Sequence, residues 1–98
     1  MEIIYPLSEL QIPLEVAQAN GPFEEFKQDV SIVSVRLESG EVFERVMILY
    51  PNYVIAVAEH HKLPFSPPSV VEVFQAKSKF RKLKDSTWVY WYDSNQVV

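Results

Sequence analysis

Cysteine is absent from this chain of 98 residues, and glycine occurs only twice. Without cysteine the chain cannot form disulfide bonds, thiolate zinc sites or cysteine nucleophiles. With only Gly21 and Gly40, the sequence holds no glycine-rich phosphate loop and no P-loop lysine pattern. These absences remove several classes of enzyme, and no cofactor is expected.

Long apolar runs and targeting signals are also missing from the sequence. No run approaches the roughly 18–20 apolar residues of a membrane helix, so no membrane contact is expected. The start, MEIIYPLSEL, has no basic beginning and is interrupted by Glu2 and Pro6, so no signal peptide is predicted. Because the lack of cysteine fits a reducing compartment, the sequence predicts a cytoplasmic protein.

Catalytic patterns are equally scarce. The densest groups of acidic residues fall at apparent turns or exposed strand positions: Glu24, Glu25 and Asp29, and Glu38, Glu41 and Glu44. General acid–base catalysis needs burial or a close charge partner, which such positions lack. Ser66 and Ser69 sit among prolines rather than in a nucleophile elbow. The sequence therefore predicts a protein that is not an enzyme.

Histidine occurs twice, in the run Glu59-His60-His61. Adjacent side chains on an extended backbone point to opposite faces, so the two imidazoles are poorly placed to chelate one ion. No third histidine exists to complete a site. We therefore predict solvated loop histidines and no metal site.

One helix is predicted, in the N-terminal region 7–20 of a single domain that spans residues 1–98. It starts either at Ser8, with Gln11 as capping-box partner, or at Pro13, in the tolerated first position. Asn20-Gly21-Pro22 ends it. A tail over residues 93–98 is expected to fray.

Five strands are predicted between residues 30 and 92, at 30–37, 42–49, 53–58, 70–75 and 87–92. In the first strand the apolar positions change parity, which predicts a β-bulge at Ile32 and Val33. Glu38 to Glu41 form a tight hairpin turn with Gly40 at positive φ. The return strand is apolar on both parities, which predicts cover on both faces. Residues 59–69 are a proline-stiffened loop.

Short strands joined by hairpins predict a mainly β protein. The favoured architecture is a small SH3-like five-stranded barrel with one short N-terminal helix, because closure removes exposed strand edges. The alternative is an α+β fold, in which a helix covers a twisted antiparallel sheet.

The segment from Val35 to Phe43, V-R-L-E-S-G-E-V-F, resembles the first hairpin motif of Sm-like small barrels. That family also has an N-terminal helix followed by five strands, so the resemblance implies a small barrel. Arg45 stands near the place where the family usually has glycine, and the arginine–glycine signature of its second motif is absent after Val70. RNA binding and site residues are therefore not carried over to this chain.

Charge is segregated in the sequence. Residues 77–84, here called the basic segment, hold five of the nine basic residues and no acid, namely Lys77, Lys79, Arg81, Lys82 and Lys84. The rest of the chain has four basic and thirteen acidic residues, a charge of −9 against +5. A cationic strip on an acidic protein is a feature that a partner can recognise.

An aromatic face follows the basic segment. On a strand at 87–92, Trp88, Tyr90 and Tyr92 share one side, while Val89 and Trp91 share the other. One small sheet cannot bury both sides, so we expect the outward set to meet a helix, a second subunit or a ligand. Self-association is expected on this ground.

Three interpretations of the cationic and aromatic surface remain open. The lysines can prevent an edge strand from pairing with another chain, while the aromatic residues fill the core. The surface can bind an acidic or extended protein segment, or it can hold single-stranded nucleic acid on charge and stacked rings. The favoured hypothesis is a non-enzymatic protein-interaction module, with nucleic-acid binding as the alternative.

Overall fold

Antiparallel strands make up most of the regular secondary structure in this computed structural model, which describes residues 5–75, 88–89 and 91. The strands are β1 (Glu25–Lys27), β2 (Val30–Leu37), β3 (Val42–Leu49), β4 (Tyr53–Val57) and β5 (Val70–Phe74). One short helix, α1 (Leu14–Ala19), precedes them. Two 3-10 turns lie at Leu7–Glu9 and Pro67–Ser69. The prediction of a mainly β fold with a short N-terminal helix is confirmed.

The N-terminal helical region is divided in two. The first piece is the turn Leu7–Glu9, and α1 begins only after Pro13, whose carbonyl accepts the amides of Val16 and Ala17. Of the two predicted starts, the one at Pro13 agrees with the structure and the one at Ser8 is wrong. Proline suits this boundary because its missing N–H is not needed in the first turn. None of the described helices is long and apolar enough to cross a membrane.

The sheet follows the order β1-β2-β3-β4, and β5 pairs with β2. Because β3 occupies one edge of β2 along most of its length, β1 and β5 share the other edge, at opposite ends. Over the described residues β4 pairs with neither β1 nor β5, so the sheet is open and the predicted five-stranded barrel is not confirmed. The strand predicted at 87–92 lies mostly outside the described residues.

The outer edge of β4 is occupied by other backbone instead. The amide of Val54 donates to the carbonyl of Leu10 at 2.8 Å, and the amide of Ile12 donates to the carbonyl of Asn52 at 2.9 Å. Further along, the amide of Trp91 donates to the carbonyl of Ile55 at 3.0 Å. These contacts satisfy edge groups that would otherwise invite pairing with another chain.

The hairpin between β2 and β3 agrees with the sequence. Its turn spans residues 38–41, and the amide of Gly40 donates to the carbonyl of Leu37 at 2.8 Å. Gly40 has a φ of 92°, which glycine adopts without the steric penalty of a side chain.

The parity change in β2 has a different cause from the predicted one. Val30 and Ile32 enter one core, while Val33, Val35 and Leu37 enter another on the opposite face. The prediction of a bulge at Ile32 and Val33 is wrong, because the change of parity marks a change of buried face.

The bulge lies on β3. Val33 pairs with Val46 and Val35 pairs with Phe43, so two residues of β3 oppose a single residue of β2. One of the two, Arg45, has a φ of 56°. Glu44 and Arg45, which break the apolar pattern of β3, are therefore the polar residues of the bulge.

Two hydrophobic cores stabilise the sheet, one on each face. Among the described residues, fourteen are buried in the first core, including Leu10, Ala17, Val35, Phe65 and Trp91. The second core is smaller and contains Val30, Ile32, Met47, Ile55 and Ala56. Val46 and Ile48 enter the first core and Met47 the second, which confirms the prediction that the return strand is covered on both faces.

Trp91 joins separate parts of the chain. Its side chain is fully buried in the first core, and its indole N–H donates to the carbonyl of His61 at 3.1 Å. Its carbonyl accepts the amide of Tyr5 at 2.8 Å, and the two rings meet edge to face. With the bond to Ile55, this single residue ties the N-terminus, β4 and the loop after it together.

We expect Trp91→Ala to lower the free energy of unfolding by about 3–5 kcal/mol, because it empties a buried site and leaves the carbonyl of His61 without its donor. Trp88→Ala, at a half-buried tryptophan, is the control and should cost less. Urea unfolding measures both values. Equal losses would contradict the central position assigned to Trp91.

A second prediction concerns the bulge at Arg45. A left-handed conformation costs a residue with a Cβ about 1–2 kcal/mol, whereas glycine loses about 0.5–1 kcal/mol through added unfolded-state entropy. Arg45→Gly should therefore be more stable than Arg45→Ala by about 0.5–1 kcal/mol. Both variants remove the arginine side chain, so their difference in urea unfolding isolates the backbone term. An alanine variant as stable as the glycine variant would refute it.

Candidate functional site

The residues predicted to bind a partner fall mostly outside the part of the chain that the structure describes. That part excludes the basic segment (Lys77, Lys79, Arg81, Lys82 and Lys84) together with Tyr90 and Tyr92. Of the predicted set, only Trp88 is described. The role of the others stays a prediction from sequence.

Trp88 lies beside the second core. Its half-buried side chain packs against that core, whereas Val89 and Trp91 pack against the first. The predicted alternation, with Trp88 opposite to Val89 and Trp91, is confirmed. The Trp88 ring therefore serves the fold by covering the second core.

The described body of the molecule is acidic. Residues 5–75 contain four basic and ten acidic residues, a net charge of −6. At the far end of β2, Arg36 and Glu72 form an exposed ion pair at 2.7 Å. The guanidinium of Arg36 also lies 5.9 Å from the centre of the Phe74 ring. Exposed pairs of this kind contribute little to stability, about 0–1 kcal/mol.

The histidines take different positions in the loop after β4. His60 is half-buried, with its ring edge against Phe43 at 6.0 Å, and its Nδ1 lies 2.9 Å from the carbonyl of Ala58. His61 is exposed. The prediction of solvated loop histidines agrees with His61, whereas His60 is only partly exposed and has Phe43 against its ring. Within the described residues, no group of three or more histidine, aspartate or glutamate side chains could hold a metal ion.

A groove of about 600 Å³, here called the Tyr50 groove, opens where α1 meets the β1 end of the sheet. Its apolar wall is built from α1, the segment after it and the end of β3, and comprises Ala17, Pro22, Phe23, Ile48, Tyr50 and Pro51. Its polar groups include Gln18, Glu25 and Ser31. This volume lies in the range of protein sites that take ligands or side chains.

Tyr50 is the most exposed large apolar residue described, with 69% of its surface accessible. Two backbone contacts fix the position of its main chain. It follows Leu49, which pairs with Val30, and its amide donates to the carbonyl of Asp29 at 2.7 Å. The groove therefore presents an aromatic ring from a defined backbone position.

A second and shallower cavity of about 530 Å³ lies on the other side of Pro51. Leu14, Tyr53 and Pro68 are among its walls, and Leu14 is 44% exposed. None of its described lining residues is charged, so the cavity gives no preference for a ligand of either charge.

Gln75 fixes the wall of the Tyr50 groove that carries Glu25. The amide of Glu24 donates to Oε1 of Gln75 at 2.7 Å. In return, Nε2 donates to the carbonyls of Glu24 and Ile32, each at 3.0 Å. In the chain, Gln75 directly follows β5 and stands two residues before Lys77.

Sequence reasoning missed this groove. Its signal in the sequence is the pairing of aromatic residues with prolines at two turns, Pro22-Phe23 and Tyr50-Pro51. Both were interpreted only as boundaries of secondary structure. Their meeting depends on the return of β3 towards β1, which a linear pattern does not reveal.

The comparisons with known proteins give no relative for this chain. No family model matches it, no curated protein matches it, and no solved structure matches it.

We expect Gln75→Ala to destabilise the protein by about 1–2 kcal/mol, because the carbonyl of Ile32 is partly buried and loses its donor. The groups of Glu24 are exposed and recover hydrogen bonds from water. Gln18→Ala, at an exposed glutamine of α1, is the control and should change stability by less than about 0.5 kcal/mol. Equal effects in urea unfolding would count against this role for Gln75.

Proposed function

We propose that this protein is a non-enzymatic interaction module that engages an acidic or extended segment of another protein. The basic segment supplies the charge through Lys77, Lys79, Arg81, Lys82 and Lys84. The neighbouring aromatic face, Trp88, Tyr90 and Tyr92, supplies apolar contact.

Charge segregation is the observation that carries this proposal. The body over residues 5–75 has a charge of −6, and the basic segment that follows has +5. An acidic partner is repelled by the body and attracted at one place, so the field orients its approach. Such steering needs no catalytic group.

The position of Trp88 supports the aromatic part of the proposal. Its ring packs on the second core and remains only half-buried. In the chain Trp88 follows the basic segment by four residues, and an aromatic ring packed on a core is a rigid apolar surface of the kind that protein interfaces use.

We further propose that the sheet belongs to a small SH3-like barrel, which the segment around Trp91 extends along β4. The hydrogen bond from Trp91 to Ile55 supports this interpretation, as does the pairing of β2 with both β3 and β5.

The proposal also includes self-association through the aromatic face and a cytoplasmic location. Light scattering at two concentrations tests the self-association.

Binding of a labelled acidic peptide, read by fluorescence anisotropy, tests the proposed function. Replacing Lys77, Lys79 and Arg81 together by glutamate should weaken binding at least about tenfold, because three attractions become repulsions. Higher salt should also weaken wild-type binding. The matched pair Lys79→Glu and Lys62→Glu changes charge equally in the basic segment and in the exposed loop, and only the first should matter.

Two outcomes would overturn the proposal. One is unchanged peptide binding by the triple variant. The other is tighter binding of a labelled single-stranded oligonucleotide of matched charge, which would favour nucleic-acid binding through stacked bases and phosphate contacts.

A further inference from the structure

We infer that the Tyr50 groove is a second docking site, which binds an extended segment of another protein carrying apolar side chains next to a lysine or arginine. This site is built from residues other than the basic segment and has the opposite charge preference. It does not depend on the proposed function above.

The apolar wall of the groove supports the assignment of apolar side chains to the partner. Phe23, Ile48 and Tyr50 converge with Pro22 and Pro51 on one concave surface. Buried aromatic and aliphatic anchors in pockets supply most of the affinity at protein interfaces. Tyr50 is 69% exposed on a backbone held by a hydrogen bond to Asp29, so a partner that covers its ring removes a large apolar surface from water.

The charge of the groove supports the other part of the assignment, the preference for a lysine or an arginine. Glu25 lies in the groove, and Glu24 and Asp29 are exposed beside it in the chain. None of the groove residues that the structure describes is basic. A cation in the groove therefore meets a carboxylate among aromatic rings, and both kinds of group attract lysine and arginine.

The neighbouring backbone favours a polypeptide over a small molecule. Glu25 belongs to β1, which ends the sheet order and, within the described residues, pairs with β2 alone. An edge strand offers main-chain groups to an extended segment, while an adjacent groove takes its side chains. Glu25 belongs both to this edge strand and to the lining of the groove.

The test measures anisotropy of three short labelled peptides with the full-length chain. The first combines leucines with flanking arginines, the second replaces the arginines by glutamate, and the third replaces the leucines by serine. We expect the first to bind and the other two to bind at least about tenfold more weakly, because each lacks one half of the required chemistry.

Variants locate the site. Tyr50→Ala should weaken binding of the first peptide at least about tenfold, and Tyr50→Phe should retain it because the ring remains. Glu25→Gln should weaken it about two- to fivefold in low salt, the range expected for one exposed charge. The controls are Val42→Ala and Glu41→Gln, which make matched changes at exposed positions of the distant hairpin and should bind like wild type.

Several results would overturn the inference. These are no binding of the first peptide at about 1 mM, equal binding of the glutamate peptide, or equal loss in Tyr50→Ala and Val42→Ala. If light scattering showed self-association that Tyr50→Ala abolishes, the occupant would be a second copy and the assignment to another protein would be wrong. If Tyr50→Ala failed to fold, Glu25→Gln and the peptide series would still decide.

Discussion

The two-sided burial of β2 is the constraint on which the structure depends. This strand pairs with β1, β3 and β5. Near its start, side chains of one face lie in the second core, and further along, side chains of the opposite face lie in the first core. Such a strand cannot slip by one residue without moving both sets of apolar side chains to the wrong faces. Its register therefore fixes the positions of the hairpin at one end and of the Tyr50 groove at the other.

Much of this arrangement could be predicted from the sequence. The hairpin at Gly40, the apolar return strand and the opposition of Trp88 to Trp91 all follow from alternation and from the demands of tight turns. The parity change in β2 was also visible, although its cause was not. A bulge and a change of buried face leave the same pattern in one strand, and only the positions of the partner strands separate them.

The rest could not be predicted because it depends on contacts between distant segments. The edge of β4 is paired by Leu10, Ile12 and Trp91, which lie on either side of it in the chain. The groove joins Phe23 to Tyr50 through the return of β3. The ring of His60 contacts Phe43, because the loop after β4 folds back over the start of β3. Local patterns record none of these pairings.

Opposite charge preference at two different sets of residues, the basic segment and the Tyr50 groove, is the central functional claim. Addition of the acidic and the cationic peptide, one at a time, to isotope-labelled protein tests it most directly through chemical-shift mapping. The account predicts that the acidic peptide perturbs the basic segment and that the cationic peptide perturbs the residues around Tyr50 and Glu25. Overlapping perturbations from the two peptides, or none from either, would contradict it.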